Sequence, residues 1–174
     1  MRKKFKILVP VILTVSLSLI GCGINSNKIS NQDGKTTSQI EAYDLIKYKD
    51  SYVGDNSSVG NIIAKLPANE YNAGFSLQTD KEPYGITINY KAKENSGEEK
   101  YNKFWSDKKV NEFLEKNAVV LLSLVQNAEV IEFNVNNIGE ISYKYDRKSL
   151  EQKYGGNLKH LFKNDNSFKK FLNN

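Results

Sequence analysis

Two residue types that carry much of protein chemistry are almost missing: the 174-residue chain has one cysteine, Cys22, and one histidine, His160. One thiol cannot close an internal disulfide or build a cysteine-based metal cluster. One imidazole could act as a general base. His160, however, lies in Asn157-Leu158-Lys159-His160-Leu161-Phe162 near the C-terminus, and no Ser or Cys nucleophile motif accompanies it. The plainer assignment is an exposed structural histidine. There is no Gly-x-Ser-x-Gly, no His-Glu-x-x-His and no Gly-rich phosphate loop. Carboxylates alone remain as metal ligands, and Glu98-Glu99, in a loop over 93–100, reads as a solvated charge pair. The sequence therefore calls for no metal, no cofactor and no assigned catalytic residue.

A long apolar run is missing too, and the short one present has another meaning. Met1 to Lys6 carries four positive charges and no acid, and Ile7 to Ile20 is apolar except for Pro10, Thr14, Ser16 and Ser18. A charged start, a greasy middle and a small residue at the end make a secretory signal. As a helix this middle is about 21 Å long, against a hydrocarbon core of ~30 Å, too short for a comfortable span. It ends in Leu19-Ile20-Gly21-Cys22, which resembles a bacterial lipobox. The Cys22 thiol takes a diacylglyceryl group, and a signal peptidase fits the small Gly21 before cutting ahead of Cys22. Two acyl chains hold a protein stably in a bilayer where one is marginal. The expectation is a signal peptide at 1–21 and a lipid on Cys22 that holds the chain on the extracytoplasmic face of the membrane.

Removing the signal changes the charge. The full chain has 25 Lys+Arg and 20 Asp+Glu, and Arg2, Lys3, Lys4 and Lys6 leave with the signal, so the mature part is close to neutral. Nucleic-acid binding needs a basic stripe on the folded domain, and no nucleic-acid partner is expected. Residues 23–39 are rich in Asn, Ser, Thr and Gly; such a stretch cannot bury enough apolar surface to offset its ordering entropy. With Cys22 it reads as a flexible tether, 22–39, reaching roughly 20–25 Å. Residues 40–174 make one domain of ordinary size.

Alternation of apolar and polar residues marks four strands. Phe75 to Thr79 leads, across Asp80-Lys81-Glu82-Pro83, to Tyr84, Ile86, Ile88 and Tyr90 on one face; Ile131, Phe133 and Val135 lead, across Asn136-Asn137-Ile138-Gly139, to Ile141, Tyr143 and Tyr145. This predicts two hairpins in a four-stranded antiparallel sheet with one wet face. Asp55-Asn56-Ser57 caps a helix through Val59, Ile62, Ile63 and Leu66, stopped at Pro67. Ser106 caps a longer one over 107–127, whose second half, Ala118 to Val125, is apolar nearly all round. Such a helix is buried on most sides, as the central core helix covering the sheet; the alternative is a partner-binding surface. Asp146 caps 147–154, Gly155-Gly156 breaks it, and a last helix runs through Phe168, Phe171 and Leu172. The fold class is α+β, with short helices at both ends of the domain.

Three places have binding chemistry. Asp55, Asn56 and Ser57 offer a carboxylate, an amide, a hydroxyl and free helix amides, the ingredients of an anion site, or only a helix cap. Gln78 and Tyr84, with Thr79, Glu82, Pro83 and Gly85, form a polar-aromatic patch at the first turn. Tyr101, Phe104 and Trp105 could floor a ligand pocket or pack as core edge. Charge is also uneven: residues 147–174 hold seven Lys+Arg against Glu151 and Asp165, whereas 22–146 hold 14 against 18. The basic end could lie on anionic lipid or wall polymer, or be a solvated face.

The runs Tyr52-Val53-Gly54-Asp55-Asn56-Ser57, Leu66-Pro67, Phe75 to Thr79, Glu82 to Ile86, Lys116-Asn117-Ala118 and Arg147 to Gly155 together resemble a bacterial domain family of unknown function. That family occurs in small lipoproteins and appended to Gram-positive membrane sensors of the antibiotic-sensing metallopeptidase type. The resemblance covers most of 48–172. It implies an extracytoplasmic, sensory setting and brings no activity or ligand, and without His-Glu-x-x-His proteolysis does not carry over. The expected function is a non-enzymatic, membrane-anchored module of the cell envelope that binds a small ligand or an envelope protein. The alternative is a carboxylate-dependent envelope enzyme using Asp55 with Glu82 or Glu70. A third reading, an assembly partner, would expose Val119 to Val125.

Overall fold

The computed structural model describes residues 42–93, 97–106, 109–136 and 141–173. The signal, Gly21, Cys22 and the tether lie outside the described residues, as do 137–140 of the second expected turn.

The strands form where alternation placed them: β1 (Asn72–Gln78), β2 (Gly85–Tyr90), β3 (Val130–Val135) and β4 (Ile141–Asp146), side by side in chain order. Ile86, Ile88 and Tyr90 of β2 and Ile131, Phe133 and Val135 of β3 are buried, while Thr87, Asn89, Glu132 and Asn134 face the wetter side. On that side Asn134 donates to Asn89 (3.0 Å) and Ser142 donates to Glu132 (2.9 Å).

The sheet is mixed, which corrects the antiparallel expectation. β1–β2 and β3–β4 are antiparallel, but the central pair β2–β3 is parallel, Gly85 opposite Val130 and Tyr90 opposite Val135. A parallel neighbour needs a crossover of a dozen or more residues, and the chain from 91 to 129 supplies it with two helices, α3 (Glu98–Trp105) and α4 (Val110–Leu124).

The expected 107–127 helix is thus shorter, and α3 is an element the pattern did not mark. Ser106 does not cap α4. It ends α3, its N–H and hydroxyl both donating to the Asn102 carbonyl. Glu98 and Glu99 are not in a loop; they occupy the first turn of α3, where carboxylates favour the helix dipole.

α4 is the core. From Asn117 to Val125 every residue is at most 2 % exposed, because the sheet, α2 (Asn56–Ile63) and a 3-10 segment (Leu158–Phe162) pack around it. The partner-surface reading of Val119 to Val125 falls with that observation.

The remaining elements fit their caps. Asp55 accepts from Ser58 N (3.0 Å) and starts α2; Asp146 accepts from Ser149 N (2.9 Å) and starts α5 (Arg147–Lys153). Gly155 and Gly156 follow at φ +77° and +144°, conformations that suit a residue without Cβ. Three further pieces were not anticipated, α1 (Ala42–Ile46), the 3-10 turn Asn69–Tyr71 and the 3-10 segment. The last helix, α6 (Asp165–Asn173), buries Phe168 and Phe171.

Candidate functional site

The sequence-predicted binding residues fall at two ends of β2. The 52–57 segment and the Gln78–Tyr84 turn attach to one connector, residues 125–130. Val53 N donates to the Asn127 side chain (2.8 Å), Ser51 bridges to Val125, and Glu129 N donates to the Tyr84 carbonyl (2.8 Å). Asp55, Asn56, Ser57 and Gln78 are exposed there and Tyr84 half-buried. The Asp55 carboxylate is spent on its own helix: hydrogen bonds from Ser58, opposed by slight burial, hold its pKa below the usual 3.8.

Trp105 lies at the other end of β2, against Tyr90, with ring centroids 4.9 Å apart. Six strand residues separate Tyr84 from Tyr90, roughly 20 Å, so these candidates do not form one site.

Trp105 is the centre of an aromatic cluster. Tyr71 (6.3 Å), Tyr101 (5.8 Å), Phe104 (5.1 Å) and Phe113 (5.8 Å) surround it. They come from the 3-10 turn Asn69–Tyr71, α3 and α4. Spacing explains the convergence: Tyr101 and Trp105, four apart on α3, share one helical face. Tyr101 also ties α3 to the sheet, its hydroxyl donating to the Tyr90 carbonyl at 3.0 Å.

Polar atoms are buried in and around this cluster. Asn117, fully buried on α4, donates through its amide to the Pro67 carbonyl at 3.3 Å and lies close to the Tyr90 hydroxyl. Burial pushes the Tyr90 hydroxyl well above the ordinary tyrosine range; the Asn117 side chain opposes this and the nearby Glu70 charge adds to it. Trp105 Nε1, Glu70 Oε1, Asn102 Oδ1 and Asn117 Oδ1 are buried without a hydrogen-bond partner. A buried unpaired polar atom costs about 1–3 kcal/mol, and each one in a native protein asks for a reason. The cluster and its surroundings thus contain an indole N–H donor and carboxylate and amide acceptors that lack partners. This chemistry suits a flat or apolar ligand with one acceptor and one or two donors.

Sequence reasoning named Trp105, Tyr101, Phe104 and Glu70 but missed Tyr71, Tyr90, Asn102 and Asn117 as parts of one cluster. The available signal was Asn117, an amide beside the apolar half of α4.

Arg147 was read as part of a basic surface and is not. It is buried, with Nε donating to Ala128 O (2.8 Å) and Nη2 to Leu122 O (2.8 Å) and Val125 O (3.0 Å). Glu129 and Glu151 pair with it at 3.4 and 3.6 Å. It is a C-terminal cap for α4, satisfying carbonyls that a helix end leaves open.

Among the described residues no group of three or more His, Cys, Asp or Glu side chains could hold a metal ion, and no helix is long and apolar enough to cross a membrane.

Fold and cluster together define an α+β domain built on a one-sided mixed sheet around a buried helix. Residues 45–146 match a domain of unknown function, DUF4825, and the chain belongs to that family. The match ends at Asp146, so α5, the 3-10 segment and α6 lie beyond it, whereas the resemblance seen in the sequence ran to 172. No curated protein and no solved structure matches the chain.

Proposed function

We propose that the protein is a lipoprotein held by Cys22 on the extracytoplasmic face of a Gram-positive membrane, and that its domain binds a ligand or partner as a sensory module of the envelope. The lipobox-like Leu19-Ile20-Gly21-Cys22 supports the anchor. The binding role rests on one observation: unpaired polar atoms of Trp105, Glu70, Asn102 and Asn117 in and around an aromatic cluster. Half-buried Phe104 and Phe113 are its edge towards solvent. The carboxylate-enzyme alternative draws less support, because Asp55 is exposed and its pKa is lowered, the opposite of what a general acid needs.

Trp105 is the only tryptophan in the chain, so emission excited selectively at tryptophan reports on this cluster. Titration with small soluble envelope components should shift that emission saturably, and Asn117→Leu should abolish the shift while the protein stays folded. A saturable ligand whose binding leaves Trp105 emission unchanged would place the site elsewhere, with the 52–57 and 78–84 patches as the next candidates.

A further inference from the structure

We propose that the C-terminal end of the molecule, the 3-10 segment and α6 with Lys159, Lys163, Lys169 and Lys170, is a docking surface for the anionic headgroups of the membrane that carries the anchor. This rests on the anchoring proposed above and goes beyond it, since it fixes which end of the domain faces the bilayer.

Four observations converge. Lys163, Lys169 and Lys170 are exposed and Lys159 half-buried, and among the described residues none of the four forms an ion pair. Of the other three basic residues of this end, Arg147 is buried and Lys153 is held by Glu115 at 2.7 Å, while Lys148 is exposed on α5.

Secondly, the chain arriving from Cys22 enters the described domain at α1, and α1 packs against α6. The chain therefore joins the described domain on the side of α6. Thirdly, residues 147–174 carry seven Lys+Arg against two acids, while 22–146 carry 14 against 18. Near a negative surface such a charge separation turns the basic end down and the acidic remainder away.

Fourthly, the apolar side of α6 is already occupied. Phe168 packs on Phe162 with centroids 4.0 Å apart and Phe171 on Tyr154 at 5.5 Å. Phe168 and Phe171 are thus engaged inside the protein, and the contact is electrostatic, reversible and weakened by salt. A tether raises the local concentration to roughly millimolar, so a patch of a few lysines is enough to orient the domain.

The test uses the mature chain from residue 23 without its lipid, and vesicles of phosphatidylcholine with or without phosphatidylglycerol. Binding is expected only to the anionic vesicles and only at low salt. Lys163→Gln/Lys169→Gln/Lys170→Gln should lower it about a hundredfold, or about 3 kcal/mol. The matched control Lys81→Gln/Lys100→Gln/Lys103→Gln removes the same charge from exposed positions elsewhere and should lower it far less. Equal loss in both triples, no loss in the first, or binding to anionic wall polymer but not to vesicles would each overturn the proposal. Anchoring is read separately, from membrane partition of the full chain with and without Cys22→Ala, so either idea can fail alone.

Discussion

Arg147 is one of two arginines, the other being Arg2, in a chain that otherwise uses lysine for its positive charges. A guanidinium is a rigid fork able to meet several carbonyls at once, whereas an ammonium is a compact point charge. The Leu122, Val125 and Ala128 carbonyls need such a fork. Arg147→Ala should therefore destabilise the fold by roughly 2–5 kcal/mol in urea unfolding, since it strands buried carbonyls at about 1–3 kcal/mol each, and Arg147→Lys should recover only part of it. Asp146, one residue earlier, gives a smaller and pH-dependent effect. Hydrogen bonds from Ser149 lower its pKa below 3.8. A carboxylate with a lowered folded pKa stabilises the fold above its ordinary value and loses that contribution as pH falls through the lower one. Asp146→Ala should thus cost about 1 kcal/mol near neutrality, and the difference from wild type should shrink below pH ~4. A constant difference across that window would show that the lost cap is not the cause.

α4 shows how an element acquires an apolar circumference. Its first turns keep Glu112 and Asn111 outside, while from Asn117 onward it is enclosed by the sheet, α2 and the 3-10 segment. Leu121→Ala should cost roughly 2–5 kcal/mol in the same unfolding measurement, the range for emptying a tightly packed core site. Ile141→Ala, on an edge strand and 42 % exposed, should cost far less. Similar losses at both positions would contradict the placement of α4 at the centre. A second tie links α4 to α5: Glu115 accepts from Lys153 (2.7 Å) and from the Tyr154 hydroxyl (2.7 Å). Burial pushes the Tyr154 hydroxyl above its ordinary range, and Glu115 adds to the push.

At the scale of the whole molecule the family span and the C-terminal end divide the work. Residues 45–146 contain the sheet, α4 and the aromatic cluster. Residues 147–173 contribute Arg147, which closes α4, and the basic α6 region packed against α1. Cys22→Ala should move the full chain from the membrane to the soluble or unprocessed fraction on cell fractionation. Retention in the membrane in a processed form would mean that something other than the lipid holds the protein there.

Sequence by itself determined the local features. Periods of two and of about 3.6 residues placed four strands and the core helix, and Asp55, Asp146 and Gly155-Gly156 set element ends, because alternation, capping and positive φ are properties of a few neighbouring residues. The tertiary structure decided strand direction, since alternation is the same read either way and only the helical crossover from 91 to 129 made β2 and β3 parallel. It also decided the fate of individual polar residues. Arg147 stands out as an arginine among lysines and Asn117 as an amide beside an apolar run, but what each one meets, the α4 terminus or Tyr90, arrives from elsewhere in the chain. The same holds for the basic end: sequence supplied a charge imbalance, and the packing of α1 on α6 decided which element lies beside it.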